Sequence, residues 1–197
     1  MFRIAITGGI ACGKSYVGRL CATKGLPVWE ADEVVHALLE RGTGVFESVL
    51  GAFGGGILDS QGGIDRRALG RRVFASSADR MRLNAIVHPS VVSACDVWVS
   101  TQQEKGVPAV VGVIPLLHEA GLEKSWDLVV CVTCRPATQS QRMRERGWVG
   151  AEADARIGAQ WPQDKKAEAA DVVIVNEGSG ALLDAQVDRM LSRIEER

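Results

Sequence analysis

Near the start of the chain Gly8, Gly13, Lys14 and Ser15 stand at the spacing G-x-x-x-x-G-K-S. Residues 2–7, FRIAIT, run up to that loop as a short, unbroken apolar stretch of the kind buried in parallel sheets. Beyond it Val17, Leu20 and Cys21 recur at helical spacing as far as Gly25. A strand must therefore end in a glycine turn from which a helix begins. Glycines so placed let backbone N–H groups turn inward around an anion, and the positive end of the helix points at the same spot. The pattern is that of a phosphate-binding loop, in which Lys14 is expected to reach the β and γ phosphates and the Ser15 hydroxyl to bind Mg²⁺. No G-x-G-x-x-G occurs, which sets a dinucleotide fold aside. The loop is read as holding a nucleoside triphosphate.

Four more strands follow from short apolar runs: LPVW, PAVVGVIPLL, DLVVCV and DVVIV, with a closing amphipathic helix over 180–196. Strands alternating with helices imply a parallel α/β sheet covered on both faces. Two regions interrupt the alternation. Between the second and third strands lies a helical insertion, with Val34, Val35, Leu38 and Leu39, then Val45, Phe46, Val49 and Leu50, then helices expected after Asp65 and after Pro89. Residues 135–166 are rich in Arg, Lys and Glu and poor in large apolar side chains, the pattern of a mobile helical flap rather than core.

At 197 residues the chain suits one domain with an insertion, and it can bury a core without a disulfide or metal staple. Its 23 basic and 24 acidic residues leave a formal charge of −1, which argues against a nucleic-acid or membrane surface and for a small partner. The longest apolar runs, such as 109–117, are too short to span a bilayer, and the N-terminus lacks a signal-peptide pattern, so a cytoplasmic protein is expected. Five cysteines without paired spacing fit a reducing compartment. Cys131 and Cys134 form a CxxC, but they sit in LVVCVTC, which reads as a buried strand, and no second CxxC or nearby His completes a zinc site.

Holding a triphosphate leaves three classes open: a kinase, a GTPase-like switch, or a nucleotide-binding regulator without chemistry. The switch has one feature in its favour, the D-x-x-G of Asp59 to Gly62, but that segment reads as a loop and no N-K-x-D is present. The kinase gains from Asp32, which follows the second strand and is expected at the carboxyl edge of the sheet. A carboxylate there can take the proton of an attacking hydroxyl. Asp32 is equally well placed as a helix N-cap, and Glu30 competes for the same role from the same face of an extended chain. Arg142 and Arg146 lie four apart, so a helix puts them on one face where they would suit an anion, with Glu145 as a local counter-charge and Arg144 pointing away.

The ordered set TGGIACGKS, EAD at 30–32, ILDSQGGIDRRAL at 57–69, VHPSV at 87–91, VIPLLHEAGL at 113–122 and AQWPQDKKAEAADVVIVNEGS at 159–179 resembles the dephospho-CoA kinases over nearly the whole chain. The resemblance implies a P-loop NTPase three-layer fold with a five-stranded parallel sheet. It assigns 1–32, 106–134 and 167–197 to the nucleotide-binding core, 33–105 to a helical acceptor-binding insertion and 135–166 to a lid. It implies ATP and dephospho-CoA as substrates, with Mg²⁺, and phosphorylation of the ribose 3′-hydroxyl in the last step of coenzyme A synthesis. Nucleic acid and membrane are not expected as partners, and a monomer or weak homo-oligomer is. ATP contacts are implied at Gly9, Ala11, Cys12, Gly13, Lys14, Ser15 and Tyr16, with Ser15 on the metal. Asp32, Lys14 and Arg142 are implied as catalytic, and Asp32, Arg66, His88 and Glu119 as facing the acceptor. Another small-molecule kinase and a non-catalytic ATP sensor are the alternatives. Cys12 and Tyr16 stand where the family usually has Ser and Thr, Glu30 replaces the usual Asp, and Gly147 stands where an Asp commonly follows the lid arginine. Cys12 is expected to act through its backbone N–H, so its change should be tolerated. His36, His88 and His118 are given no catalytic role; His88 before Pro89 is expected to fix a helix start, and His118 to sit behind the site.

Overall fold

A computed structural model describes residues 1–195. The chain divides into a sheet unit, Met1–Glu30 together with Val99 onward, and a helical unit, Ala31–Trp98.

The sheet unit is built on five parallel strands: β1 (Phe2–Gly8), β2 (Val28–Glu30), β3 (Ala109–Val113), β4 (Leu128–Thr133) and β5 (Val172–Val175). Their order is β2-β3-β1-β4-β5, with Ile6 paired to Val113 on one side and to Val130 on the other. β1 is thus central, and the chain crosses from one side of it to the other between β3 and β4. Such a crossover opens a crevice at the carboxyl ends of the strands, where ligands of open α/β sheets bind. Every residue of β3 is buried, as the unbroken apolar run required. Ile4, Ile6, Val111, Val130 and Val132 form the core with Val17 and Cys21 of α1 (Lys14–Thr23) and Leu183, Val187 and Met190 of α9 (Gly180–Glu195). Truncating a side chain as enclosed as Ile4 costs about 2–5 kcal/mol.

Three details differ from the sequence-based expectation. β3 stops at Val113 rather than running on to Leu117, because Ile114 still donates its N–H to Ile6 while Pro115 has none to give. β5 is covered on one side only, with Ile174 buried while Val173 and Val175 are exposed, as befits the last strand of the sheet. The closing helix is described to Glu195; residue 196, the end of the expected helix, lies outside the described residues.

In residues 135–166 the chain forms α6 (Pro136–Glu145) and α7 (Gly150–Gly158), followed by α8 (Gln163–Glu168). These helices are charged, as expected, yet Met143 and Lys166 are buried and tie the segment into the sheet unit.

The helical unit contains α2 (Ala31–Leu38), α3 (Gly44–Phe53), a short turn over Gly55–Ile57, α4 (Arg66–Ala75) and the first part of α5 (Ser77–Glu104). Thr43 caps α3 by accepting the Phe46 N–H at 3.0 Å, and Asp65 caps α4 by accepting those of Arg67 and Ala68. Val45, Phe46, Val49, Phe53, Ile57, Leu69 and Val73 are among its buried side chains. Arg72 crosses from α4 to the Phe53 carbonyl at 2.8 Å, its guanidinium over the Phe53 ring. The D-x-x-G segment is a loop, with the Asp59 carboxylate accepting the N–H groups of Gln61 and Gly63. One expectation fails: α5 runs straight through Pro89, so His88 lies in mid-helix and starts nothing. A proline forfeits one backbone bond, and the burial of Val87 and Val91 on either side holds the helix together regardless. Among the described residues no helix is long and apolar enough to cross a membrane.

Candidate active site

β1 ends at Gly8, and the loop from Gly8 to Gly13 carries the chain into α1. Gly8 has φ 137°, and a Cβ there would lie 2.1 Å from the Val132 carbonyl oxygen of β4. Gly13 has φ 102°, and a Cβ there would lie 2.2 Å from the side-chain nitrogen of Asn176. Both glycines of the motif are therefore required twice over, by backbone conformation and by space. Between them Ala11 takes φ 58°, a left-handed conformation that a side chain occupies only when its surroundings hold it there.

The loop's carbonyl groups supply that hold. Lys14 donates its Nζ to the Gly8 and Gly9 oxygens at 3.2 and 2.8 Å. Gln139 of α6 donates to the Ile10 oxygen at 2.9 Å, and Asn176 to the Cys12 oxygen at 2.8 Å. Arg142, also on α6, reaches the Cys12 oxygen at 3.4 Å and the Asn176 oxygen at 3.2 Å. With the carbonyls engaged in this way, the N–H groups of Ala11, Gly13 and Ser15 donate no hydrogen bond among the described residues. Unbonded backbone donors at the start of a ten-residue helix, with Lys14 and Arg142 beside them, make a site for a polyanion.

Ser15, in the first turn of α1, donates its hydroxyl to Oε2 of Glu30 at 2.9 Å. Glu30 is the last residue of β2, so this carboxylate stands at the carboxyl edge of the sheet. The two hard oxygens form a donor set of the kind Mg²⁺ takes. Tyr16 points outward, with the Arg19 guanidinium 5.5 Å from its ring. Sequence reasoning paired Arg142 with Arg146; the helix ends at Glu145, and Arg146 turns instead to the Trp148 ring at 5.7 Å.

Glu119, beyond β3, is engaged with the segment around α8. Its Oε1 accepts the Trp161 N–H at 2.6 Å and the Lys166 ammonium at 2.9 Å, while Oε2 is buried without a hydrogen-bond partner. Lys166 is wholly buried and donates also to the Pro115 oxygen at 2.6 Å. His118 stacks on Trp161 with ring centroids 5.4 Å apart. A buried cation is kept only when paired and bonded in this manner.

The remaining candidates belong to the helical unit. Asp32 is exposed in the first turn of α2, inside the helix rather than at its cap. Arg66 is exposed at the first position of α4. His88 is half-buried in α5, and burial holds its imidazole below the ordinary value.

Three residues of this site are not singled out by the sequence, Asn176, Gln139 and Gln163, and Cys134, read there only as part of a CxxC in a buried strand, lies behind the loop just past the end of β4. Gln163 donates to the Cys134 oxygen at 2.8 Å and accepts from the Cys134 N–H at 3.2 Å and the Cys12 thiol at 2.7 Å. Glu177, next to Asn176, accepts the Arg135 N–H and the Thr138 hydroxyl, and those bonds hold its carboxyl below the usual range. Loop and α6 are thereby tied together through the turn after β5. Uncharged amides carry no motif signal, so only the fold could assemble them.

The family model described as dephospho-CoA kinase matches residues 2–181. A dephospho-CoA kinase of Anaeromyxobacter dehalogenans is 43% identical over 190 residues, covering 96% of this chain and 90% of that protein. Among solved structures, TT1252 from Thermus thermophilus superposes with a TM-score of 0.77 at 29% identity, covering 98% of this chain and 97% of the other. The dephospho-CoA kinase from Campylobacter jejuni superposes with a TM-score of 0.70 at 24% identity and the same coverage.

Proposed function

This chain belongs to the dephospho-CoA kinase family, and from that premise we propose how its residues divide the last phosphorylation of coenzyme A synthesis among themselves. It is a kinase, transferring the γ-phosphoryl group of ATP to the ribose 3′-hydroxyl of dephospho-CoA to give coenzyme A and ADP. The observation that carries the assignment of roles is the loop at the carboxyl end of β1, with its carbonyls engaged and the N–H groups of Ala11, Gly13 and Ser15 left unbonded among the described residues.

Residues 8–15 hold the ATP phosphates, through the backbone of Gly9, Ala11, Cys12 and Gly13 and the charge of Lys14, with Tyr16 at the outer side of the same turn. Ser15, with Glu30 behind it, is the residue to hold Mg²⁺, which when bound draws charge from the phosphoryl oxygens. Arg142, anchored on the carbonyls of Cys12 and Asn176, presents a second cation to charge on the transferring group. The helices of residues 135–166 act as the lid, and residues 33–105 as the acceptor-binding insertion. Asp32 takes the proton of the 3′-hydroxyl, while Arg66 and His88 serve the acceptor. Glu119 contributes through its unpaired Oε2, a buried acceptor that a substrate donor would satisfy. A loose phosphoryl transition state asks for little covalent help, so positioning and charge supply most of the rate. A cytoplasmic setting belongs to the same proposal and is supported by five free cysteines.

The test is coupled ADP release with Mg-ATP, comparing dephospho-CoA with shikimate and a nucleoside panel. The product from dephospho-CoA should gain the mass of one phosphoryl group. Turnover of another acceptor in preference to dephospho-CoA would overturn the reading.

A further inference from the structure

Cys12 lies in the phosphate loop and Cys134 directly after β4, separated by 122 positions, yet their sulfur atoms are 3.3 Å apart. Both side chains are buried, at 0% and 4% exposure. No other element stands between them, and a disulfide needs the sulfurs only at about 2.05 Å. Their surroundings are arranged asymmetrically. Cys134 donates its thiol to the sulfur of Cys12, which in turn donates to the Gln163 amide oxygen. Once Cys134 loses its proton, the Cys12 thiol can turn to it instead. That bond, with the Arg142 charge added, holds Cys134 below the usual thiol value, while the same bond and burial push Cys12 well up. Cys131, two residues into the strand from Thr133, has no such thiol bond, and burial outweighs the Lys166 and Lys14 charges and pushes its thiol up to about 11. A lowered thiol beside a protonated partner is the arrangement of an attacking and a resolving cysteine.

We propose that Cys12 and Cys134 are an oxidation site through which a hydroperoxide switches nucleotide binding off. The proposal rests on the reading that residues 8–15 hold the ATP phosphates. In the first step the Cys134 thiolate attacks one peroxide oxygen, the O–O bond breaks, and Cys134 becomes a sulfenic acid as hydroxide leaves and takes up a proton. In the second the Cys12 sulfur displaces that hydroxyl as water, its own proton leaving with it. Two thiols and one hydrogen peroxide give one disulfide and two waters, the sulfurs losing two electrons that the peroxide gains. Hydrogen peroxide is close to water in size, which suits so enclosed a pair.

The consequence follows from where Cys12 sits. Its backbone lies between Ala11, held at φ 58°, and Gly13, whose N–H donates no hydrogen bond among the described residues. Drawing its sulfur toward Cys134 breaks the Cys12–Gln163 bond and pulls on a turn whose oxygen Asn176 and Arg142 hold in place. Donors that must converge on one phosphate lose their alignment, and a thiol reductant restores it.

The experiment treats the full-length reduced protein with hydrogen peroxide, maps peptides by mass spectrometry, and measures the affinity of a non-hydrolysable ATP analogue before oxidation, after it, and after dithiothreitol. Expected are the loss of two hydrogen masses, a cross-linked peptide joining Cys12 to Cys134, an affinity about tenfold weaker or more, and recovery on reduction. Cys134→Ser should bind the analogue as the reduced protein does and ignore peroxide. Addition of oxygen to either cysteine without the cross-link overturns the proposal, as does a cross-linked protein with unchanged affinity. Should Cys134→Ser fold poorly, the mapping and the reversibility of the unaltered chain decide. Failure of the reduced protein to bind the analogue at all would count against the loop assignment and not against the pair.

Discussion

The phosphate loop and the acceptor-facing residues are built on opposite plans. Around the loop nearly every side chain is committed: Lys14 to two carbonyls, Ser15 to Glu30, Asn176 and Arg142 to Cys12, and Gln139 to Ile10. In the helical unit Asp32 and Arg66 are exposed, and among the described residues no hydrogen bond or ion pair engages the side chains of Asp32, Arg66 or His88. The difference follows the ligands. A triphosphate offers the same oxygens in every kinase, so its grip can be set in advance by the backbone and costs nothing to reorganise. An acceptor hydroxyl must be met by a group still able to move a proton, and a carboxylate already tied up by arginine or backbone N–H groups is a poor base.

Removing the proton acceptor should produce the largest effect. Asp32→Asn is expected to lower kcat about 10²- to 10⁴-fold with ATP affinity nearly unchanged, which steady-state kinetics beside analogue titration would reveal. Unchanged turnover would mean that the open half of the comparison does not supply the base. The committed half is probed by Lys166→Met, which leaves a mostly enclosed Glu119 carboxylate, one oxygen of it buried, without its cation; a loss of about 3–5 kcal/mol in denaturant unfolding is expected. Adding Glu119→Leu should return part of that loss, whereas no recovery would show that Lys166 packs rather than pairs.

Lys14→Ala strikes the grip itself. A drop of about 10²- to 10³-fold in kcat/KM is expected, with ATP affinity falling too, in contrast to Asp32→Asn. If only kcat fell, the lysine would serve the transition state alone.

The smallest effect concerns pH. Because burial depresses the folded His88 value, the unfolded chain takes up its proton first as the solution is acidified. The contribution of His88 to stability is therefore present above the unfolded value of 6.5 and is lost as pH falls from there through the folded value. His88→Asn should flatten the slope of Tm against pH in that window, and an unaltered slope would move the effect to another group.

Much of this is legible in the sequence. The strand, the glycine turn and the helix of residues 2–23 are local, set by apolar period and by two glycines, and they came out where the pattern put them. The five strands and the helical insertion were legible for the same reason. The errors were local as well. Pro89 reads as a helix boundary, but burial along α5 outweighs one missing bond. Residues 114–117 read as strand because apolarity does not say where pairing stops. The face shared by Arg142 and Arg146 vanished because the helix ended one residue too soon.

By itself the sequence determined the phosphate loop, the class of fold and the family, since each depends on the order and spacing of neighbouring residues. Only the tertiary structure decided that Glu30 meets Ser15, that Lys166 neutralises Glu119, and that Cys12 touches Cys134. Those partners are set by which strands lie side by side. The order β2-β3-β1-β4-β5 brings the ends of β2, β3 and β4 around the end of β1, and spacing along the chain carries no record of that proximity.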